Sequence, residues 1–184
     1  MPPNAILLTF DDGYIDHYIN VFPILEEKGI QGCFFPSAKA VLNHKILDVH
    51  KIHFLLASVS DTDLIIHDVN SLLDKYRSQF SLKSNDYYFS KLAVANKFNT
   101  KEIIFIKRLL QVELVEELRN LIVDELFYKY VTADEGIFSR ELYMSIDQLK
   151  CIASAEELAG RTEWSEILLR LQEHSDVFVT VVVD

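Results

Sequence analysis

The chain has few of the residues that make flexible joints or covalent cross-links. Its 184 residues include only five glycines, four prolines and two cysteines. So few glycines and prolines leave no Gly- or Pro-rich linker, and we therefore expect packed rather than tethered segments. Cys33 and Cys151 lack the close spacing of a metal site, so we expect both to be buried apolar side chains in a reducing compartment.

Basic charge and long apolar runs are also scarce. Eighteen lysines and arginines stand against 28 acidic residues, which gives a formal net charge of −10. This charge argues against nucleic acid or an anionic membrane surface as a partner. No apolar run reaches the roughly 18 residues of a membrane-spanning helix, and Met1-Pro2-Pro3-Asn4 does not begin a signal peptide. We therefore expect a cytoplasmic chain, and its 49% of hydrophobic residues is enough to bury a core.

The first 36 residues predict a strand, a helix and a second strand. The run Ala5–Phe10 is apolar or β-branched throughout, which is typical of a strand buried on both faces of a parallel sheet. Tyr14–Lys28 has helical periodicity and ends at Gly29, and Ile30–Phe35 is the second apolar run. This βαβ pattern indicates an α/β fold whose ligands lie at the carboxyl ends of the strands.

Asp11 and Asp12 follow the first predicted strand directly. Adjacent carboxylates repel each other unless a cation or a hydrogen-bond donor offsets them, and a divalent metal is the simplest such cation. One carboxylate would then ligate the metal, and the other would act as a general base toward water. The alternative is ordinary turn chemistry, in which Asp11 or Asp12 caps the helix that begins near Tyr14.

The motif Thr9-Phe10-Asp11-Asp12-Gly13-Tyr14 resembles the first signature of the polysaccharide deacetylase family, and the resemblance continues through Phe22-Pro23-Ile24-Leu25 and Gly32-Cys33-Phe34-Phe35-Pro36. Members of this family are metal-dependent carbohydrate N- and O-deacetylases built on a distorted (β/α)-barrel. The resemblance implies that Asp11 is the catalytic base and that Asp12 ligates a divalent metal, zinc in the first instance. It also implies an acetylated carbohydrate as the substrate.

Two later segments, 47–56 and 100–110, resemble a long helical insertion that some members carry after the second strand, mostly members linked to bacterial surface polysaccharides. Periodicity itself predicts helices through most of 38–141, with Asp61 capping one of them and their apolar stripes packed together. Ser145 and Gln148 predict a capping box at the next helix. The expected fold is thus a partial (β/α)-barrel with an all-helical insertion. A first βαβ unit would occupy 1–40, the insertion 41–141, and the remaining barrel helices and a terminal strand 142–184.

The resemblance fails toward the carboxyl end. The family's second metal motif has two histidines, and the candidate segment 157–165 has Arg161 and Ser165 at those positions. Arginine offers no lone pair to a metal, and catalytic zinc needs about three protein ligands. Later family motifs, including an arginine, an acid and a final histidine, are not detectable. The resemblance therefore implies a truncated or degenerate member, whose exposed sheet edges would favour self-association.

Histidines are the candidates for replacement ligands. His50 and His53 lie three residues apart on a predicted helix, and therefore on one face within reach of a single ion. The alternative is a half-buried, hydrogen-bonded histidine, because the apolar stripe of the same helix lies beside His53. The other histidines are isolated in the sequence and we expect them at the surface: His17, His44, His67 and His174.

The function implied by the resemblance is hydrolysis of an N-acetyl or O-acetyl group on a glycan. One alternative is a catalytically inactive relative that binds a saccharide or a protein. Another is a fragment without independent function. An enzyme of this type requires its metal, whereas a binding module tolerates the loss of Asp11 and Asp12.

Overall fold

The computed structural model describes residues 6–30, 32–157 and 181–183, with side chains described up to residue 153. The chain divides into two compact units. One unit, which we call the strand-bearing unit, comprises residues 1–46 and 135–184, and the other, the helical unit, comprises residues 47–134. The helix-rich chain with a small sheet confirms the predicted α/β class.

The strand-bearing unit contains a sheet of strand order β1-β2-β3 within the described part of the chain. β1 is Thr9–Asp12, β2 is Gly32–Pro36 and β3 is Val181–Val183. β1 and β2 pair in parallel, as the βαβ pattern predicts, with Asp11 opposite Phe35 and Asp12 opposite Pro36. β3 pairs with β2 in the antiparallel direction, so the sheet is mixed and not parallel throughout.

β1 differs from the strand that the apolar run predicts. It begins at Thr9 instead of Ala5, and it includes both aspartates. Thr9 and Asp11 are exposed whereas Phe10 and Asp12 are half-buried, so the prediction of a strand buried on both faces is wrong. Only one face is covered, where the Phe10 ring stacks on Phe34 with ring centroids 4.9 Å apart. An apolar run shows which side chains are suited to burial. The elements that pack against the strand determine which of its faces is actually buried.

Helices accompany the strands of this unit: α1 is Phe22–Lys28, α2 is Ala38–Asn43, α8 is Glu135–Leu142 and α9 is Ile146–Glu157. A π-helical turn, His17–Val21, leads into α1, which ends at Gly29 with φ 60°, as the sequence predicts. The predicted capping box is confirmed, because the Gln148 amide donates to Ser145 Oγ at 3.2 Å and the Ser145 amide donates to Gln148 Oε1 at 2.8 Å. The core of the unit includes Phe22, Leu25, Phe34, Ala38, Val41, Met144, Leu149, Ile152 and Ala153.

The two cysteines have different surroundings. Cys33 on β2 is buried, as predicted. Cys151 on α9 is exposed, where the Tyr18 hydroxyl donates a 3.5 Å hydrogen bond to its Sγ, so the prediction of a buried side chain is wrong for this residue. Ile152 and Leu149 form the buried stripe of α9, and the position of Cys151 falls outside that stripe.

The helical unit contains α3 (Asp48–Ser58), α4 (Thr62–Tyr76), α5 (Asn85–Leu92), α6 (Lys101–Arg108) and α7 (Glu116–Tyr130). α6 continues into a second π-helical turn, Leu109–Glu113. Asp61 caps α4 as predicted, since its carboxylate accepts a 3.0 Å hydrogen bond from the Asp63 amide. The helices bury their apolar stripes against one another in a core that includes Ile52, Leu55, Ile65, Val69, Leu73, Phe105, Leu109, Leu118, Ile122 and Leu126. Within the described ranges, none of the helices is both long and apolar enough to cross a bilayer.

Two reciprocal polar clusters join α4 and α7, and each helix ends in the dipeptide Lys-Tyr. Lys75 Nζ and Tyr76 Oη of α4 donate to Glu125 Oε1 of α7 at 2.7 and 2.8 Å. The side chains of Lys129-Tyr130 in α7 both donate to Asp68 Oδ2 of α4. The end of each helix is therefore bonded to the interior of the other.

Candidate active site

Asp11 and Asp12 are the last two residues of β1. Successive residues of a strand point to opposite faces, so the two carboxylates leave the strand in different directions. Asp11 is exposed, and its carboxylate makes no hydrogen bond with any residue that the structure describes. Asp11 therefore does not cap the following helix, which removes one form of the turn-and-cap alternative.

The backbone turns sharply at Asp12. Its φ is 69°, in the left-handed region that residues other than glycine seldom adopt and that costs them roughly 1–2 kcal/mol. Gly13 follows with φ 74°, and a Cβ at Gly13 would lie 2.8 Å from the Cβ of Pro36. The Gly13 carbonyl accepts a 2.9 Å hydrogen bond from the Met144 amide. The turn is thus held between two neighbours, and strain kept in place by its surroundings is typical of functional sites.

His17 is a third polar group at this end of β1. Its imidazole packs against the rings of Phe10, Tyr14 and Phe34, with centroid separations of 5.7, 5.9 and 6.1 Å. Nδ1 is buried and has no hydrogen-bond partner among the residues described. The predicted surface position of His17 is therefore wrong. The aromatic residues near His17 in the sequence, Phe10 and Tyr14, could have indicated that its imidazole packs against rings. Nothing in the sequence indicates the π-helical turn that begins at His17.

Burial lowers the pKa of the His17 imidazole, and the negative charges of Asp16, Asp12 and Asp11 oppose this effect without cancelling it. His17 is therefore neutral at neutral pH and has one nitrogen that accepts and one that donates a hydrogen bond. Burial, reinforced by the charge of Asp12, raises the pKa of the Tyr14 phenol. Tyr14 thus stays protonated and can donate.

The strand-turn-helix geometry around Asp11 and Asp12 coincides with a family match. Residues 1–64 match the model of the polysaccharide deacetylase family. The match confirms the resemblance over roughly a third of the chain. No curated protein and no solved structure matches the chain significantly.

The matched segment, residues 1–64, holds both aspartates, the His17 turn and β2. Its polar groups suit a hydrolysis in which a water is deprotonated and a leaving group is protonated. Asp11 is an exposed carboxylate, His17 a neutral imidazole and Tyr14 a protonated phenol. Asp12 is the carboxylate at the turn, where the backbone φ is 69°.

The resemblance to the polysaccharide deacetylases implies a set of metal ligands. Among the residues that the structure describes, no three His, Cys, Asp or Glu side chains are grouped so that they could hold a metal ion. The matched segment supplies Asp12 as the candidate ligand, which falls short of the three ligands of a catalytic zinc site. The described residues therefore do not by themselves fit a catalytic zinc ion. Arg161 and Ser165, at the expected histidine positions, lie outside the described residues, as does His174.

The proposed replacement ligands His50 and His53 lie on α3 of the helical unit. His50 is 4% exposed and interacts with other groups, whereas His53 is exposed. One helix therefore carries both residues, but their surroundings differ, and neither belongs to a described group of three candidate ligands. His44 and His67 are exposed, as the sequence predicts.

Proposed function

We propose that the chain is a carbohydrate deacetylase, a hydrolase that removes the N-acetyl or O-acetyl group of a glycan. The observation that carries the proposal is the pair of carboxylates at the end of β1, one exposed and one held in a strained turn, inside the segment that matches the polysaccharide deacetylases. An acetylated bacterial surface polysaccharide or glycan precursor is the proposed substrate.

In the proposed reaction, Asp11 accepts a proton from the attacking water, and the water oxygen bonds to the acetyl carbonyl carbon. The carbon–nitrogen bond of the resulting tetrahedral intermediate then breaks as the nitrogen takes the proton held by Asp11, which restores the Asp11 carboxylate. The products are acetate and the free amino sugar. His17 and Tyr14 are the neighbouring groups able to donate hydrogen bonds during this sequence.

Zinc is the proposed cofactor, and Asp12 is the ligand that the described residues offer. A bound zinc ion polarises a carbonyl oxygen and makes water more acidic. The described residues do not complete a three-ligand set around Asp12.

The fold that we propose for this activity is part of a (β/α)-barrel, with the helical unit as an insertion. The chain leaves the strand-bearing unit after Ile46 and returns to it at Glu135. The two junctions are bonded to each other, since Glu135 Oε2 accepts from Lys45 Nζ at 2.8 Å and Glu135 Oε1 accepts from the Ile46 amide at 2.9 Å. Adjacent junctions are what an inserted segment requires.

Saccharide binding without hydrolysis is the second candidate function. The observation that favours it is the lack of a three-ligand group among the described residues, together with Arg161 and Ser165 at the family's histidine positions. This candidate requires neither a metal nor the charge of Asp11.

Acetate release from N-acetylglucosamine oligomers, with and without added zinc, separates the two candidates. We expect release by the native chain and a loss of about 100-fold to 10,000-fold in kcat for Asp11→Asn, because the proton acceptor is removed. Asp16→Asn is the matched control, since Asp16 is an exposed aspartate of the same segment. Binding of the oligomers without release of acetate would support the second candidate and overturn the first.

A further inference from the structure

The helical unit contains a cavity that the proposed reaction does not use. Its volume is about 410 Å³, within the range of roughly 300–1,000 Å³ for small-molecule sites. The lining residues come from α3, the second π-helical turn and α7: Asp48, Val49, Ile52, Leu110, Gln111 and Arg119. Apolar and polar side chains therefore share the wall of a cavity that lies wholly within one unit.

Arg119 has donors that the protein leaves unused. Its Nε lies 3.5 Å from Asp48 Oδ2, but the geometry does not make a hydrogen bond, and this buried N–H has no partner among the described residues. Its Nη2 lies 4.0 Å from Glu116 Oε1. A guanidinium carries five N–H donors, and leaving them unbonded in a partly buried position is unfavourable. The buried Nε is out of reach of a ligand, so the donors that Arg119 offers an acceptor-rich ligand are the Nη groups of its guanidinium.

Gln111 adds an amide to the same wall. It lies in the π-helical turn Leu109–Glu113, and its side chain makes no hydrogen bond with the residues described by the structure. An amide provides both donors and an acceptor. Single π-helical turns occur frequently at functional sites, and this one places Leu110 and Gln111 side by side in the cavity lining.

Charge selects the class of ligand. The charges of Asp48 and Arg119 cancel within the lining, and Glu116 adds a negative charge beside the guanidinium. The whole chain carries −10, so an anionic ligand would be repelled. A neutral ligand that carries hydroxyl and carbonyl groups along its edge can pair with the donors and acceptors of Arg119 and Gln111. Its apolar face can pack against Val49, Ile52 and Leu110.

We infer that this cavity binds a neutral saccharide, such as an acetylated amino-sugar unit, through Arg119 and Gln111. The identity of the sugar rests on the proposed function, whereas the cavity and its unused donors do not. The helical unit would then hold one part of a glycan by a site that is chemically separate from Asp11 and Asp12.

The test is a titration of the ¹⁵N-labelled full chain with N,N′-diacetylchitobiose, followed by the shifts of backbone amides. We expect shifts at residues 110–112 and 119, and an affinity about tenfold weaker for Arg119→Met or Gln111→Ala, since each loses hydrogen bonds to the sugar. Lys97→Met removes the same charge from an exposed position outside the lining and should bind as the native chain does. Val49→Trp should block binding by filling the cavity without removing a polar group.

Two outcomes overturn the inference: no shifts around the cavity, or equal affinity of Arg119→Met and Lys97→Met in variants whose far-ultraviolet dichroism is native. The Asp11→Asn variant separates this inference from the proposed function. It should lose acetate release and keep the shifts at 110–112. If the native chain shows these shifts but releases no acetate, the proposed deacetylase activity is refuted and saccharide binding in the cavity is not. If it releases acetate without these shifts, saccharide binding in the cavity is refuted and the deacetylase activity is not.

Discussion

The Met144 amide donates a 2.9 Å hydrogen bond to the carbonyl oxygen of Gly13. This bond fixes the turn that follows Asp12 to a segment far along the chain, just before α9. Pro36 closes the other side of the turn, because a Cβ added to Gly13 would lie 2.8 Å from its Cβ. The direction of the Asp12 carboxylate therefore depends on packing around Gly13.

Gly13→Ala should lower the free energy of unfolding by about 2–5 kcal/mol, from roughly 1–2 for the left-handed backbone and 1–3 for overpacking against Pro36. Gly29→Ala is the matched control. Gly29 also has a left-handed φ, but no atom lies within 4 Å of an added Cβ, so only about 1–2 kcal/mol should be lost. Urea unfolding of both variants measures the difference, and equal losses would contradict the role given to Pro36.

His17 should titrate below the ordinary value for histidine, because burial disfavours its charged form. The unfolded chain then binds a proton more readily than the folded chain. Stability associated with His17 is complete above pH of about 6.5 and declines as the pH falls from there toward the lower folded pKa. An NMR titration of the His17 ring protons measures the folded pKa directly.

Replacing His17 by phenylalanine should flatten the stability profile in this range, whereas His67→Phe, at an exposed histidine, should leave it unchanged. Urea unfolding at pH 7.5 and pH 5.5 provides the comparison. A His17 ring that titrates at or above about 6.5 would show that the nearby carboxylates outweigh burial.

The sequence predicted local structure well where one short segment determines it. Gly29 ends α1, Asp61 caps α4, and Ser145 pairs with Gln148, because each of these features depends on the chemistry of a few adjacent residues. The two aspartates were also located correctly near the end of β1. These predictions concern bonds within a turn or two of chain.

Features set by distant neighbours could not be predicted in this way. The strained φ of Asp12 depends on Gly13, Pro36 and Met144, which come together only in the folded chain. The packing of His17 requires Phe34 of the next strand as well as the π-helical turn. Gln111 and Arg119 likewise come together in the cavity lining only because the second π-helical turn lies beside α7. No short sequence motif predicts this arrangement.

Zinc bound to the purified chain should depend on Asp12, because Asp12 is the proposed carboxylate ligand. Elemental analysis should find less zinc in Asp12→Ala than in the native chain. Asp16→Ala, which removes an exposed carboxylate of the same segment, should retain the native content. Equal zinc content in all three proteins would show that Asp12 is not a zinc ligand. The absence of zinc from the native chain would contradict the proposal that zinc is the cofactor.

We expect the chain to self-associate through the exposed edge of β1. β1 is the outer strand of the described part of the sheet, and Ile6 beside it is 87% exposed. An exposed strand edge with apolar neighbours favours pairing with another copy. Ile6→Lys should therefore shift sedimentation velocity toward the monomer. Ile24→Lys, at a position 57% exposed on α1, should not, and an equal effect of both variants would point to nonspecific apolar contact.

The reciprocal bonds of α4 and α7 bear on how the helical unit opens. The last turn of α4 is held by Glu125 of α7, and the last turn of α7 is held by Asp68 of α4. Fraying of either end therefore releases a carboxylate in the middle of the other helix. The two helices should open as one cooperative unit, so that the slowest amides of both exchange their hydrogens with a single shared opening free energy.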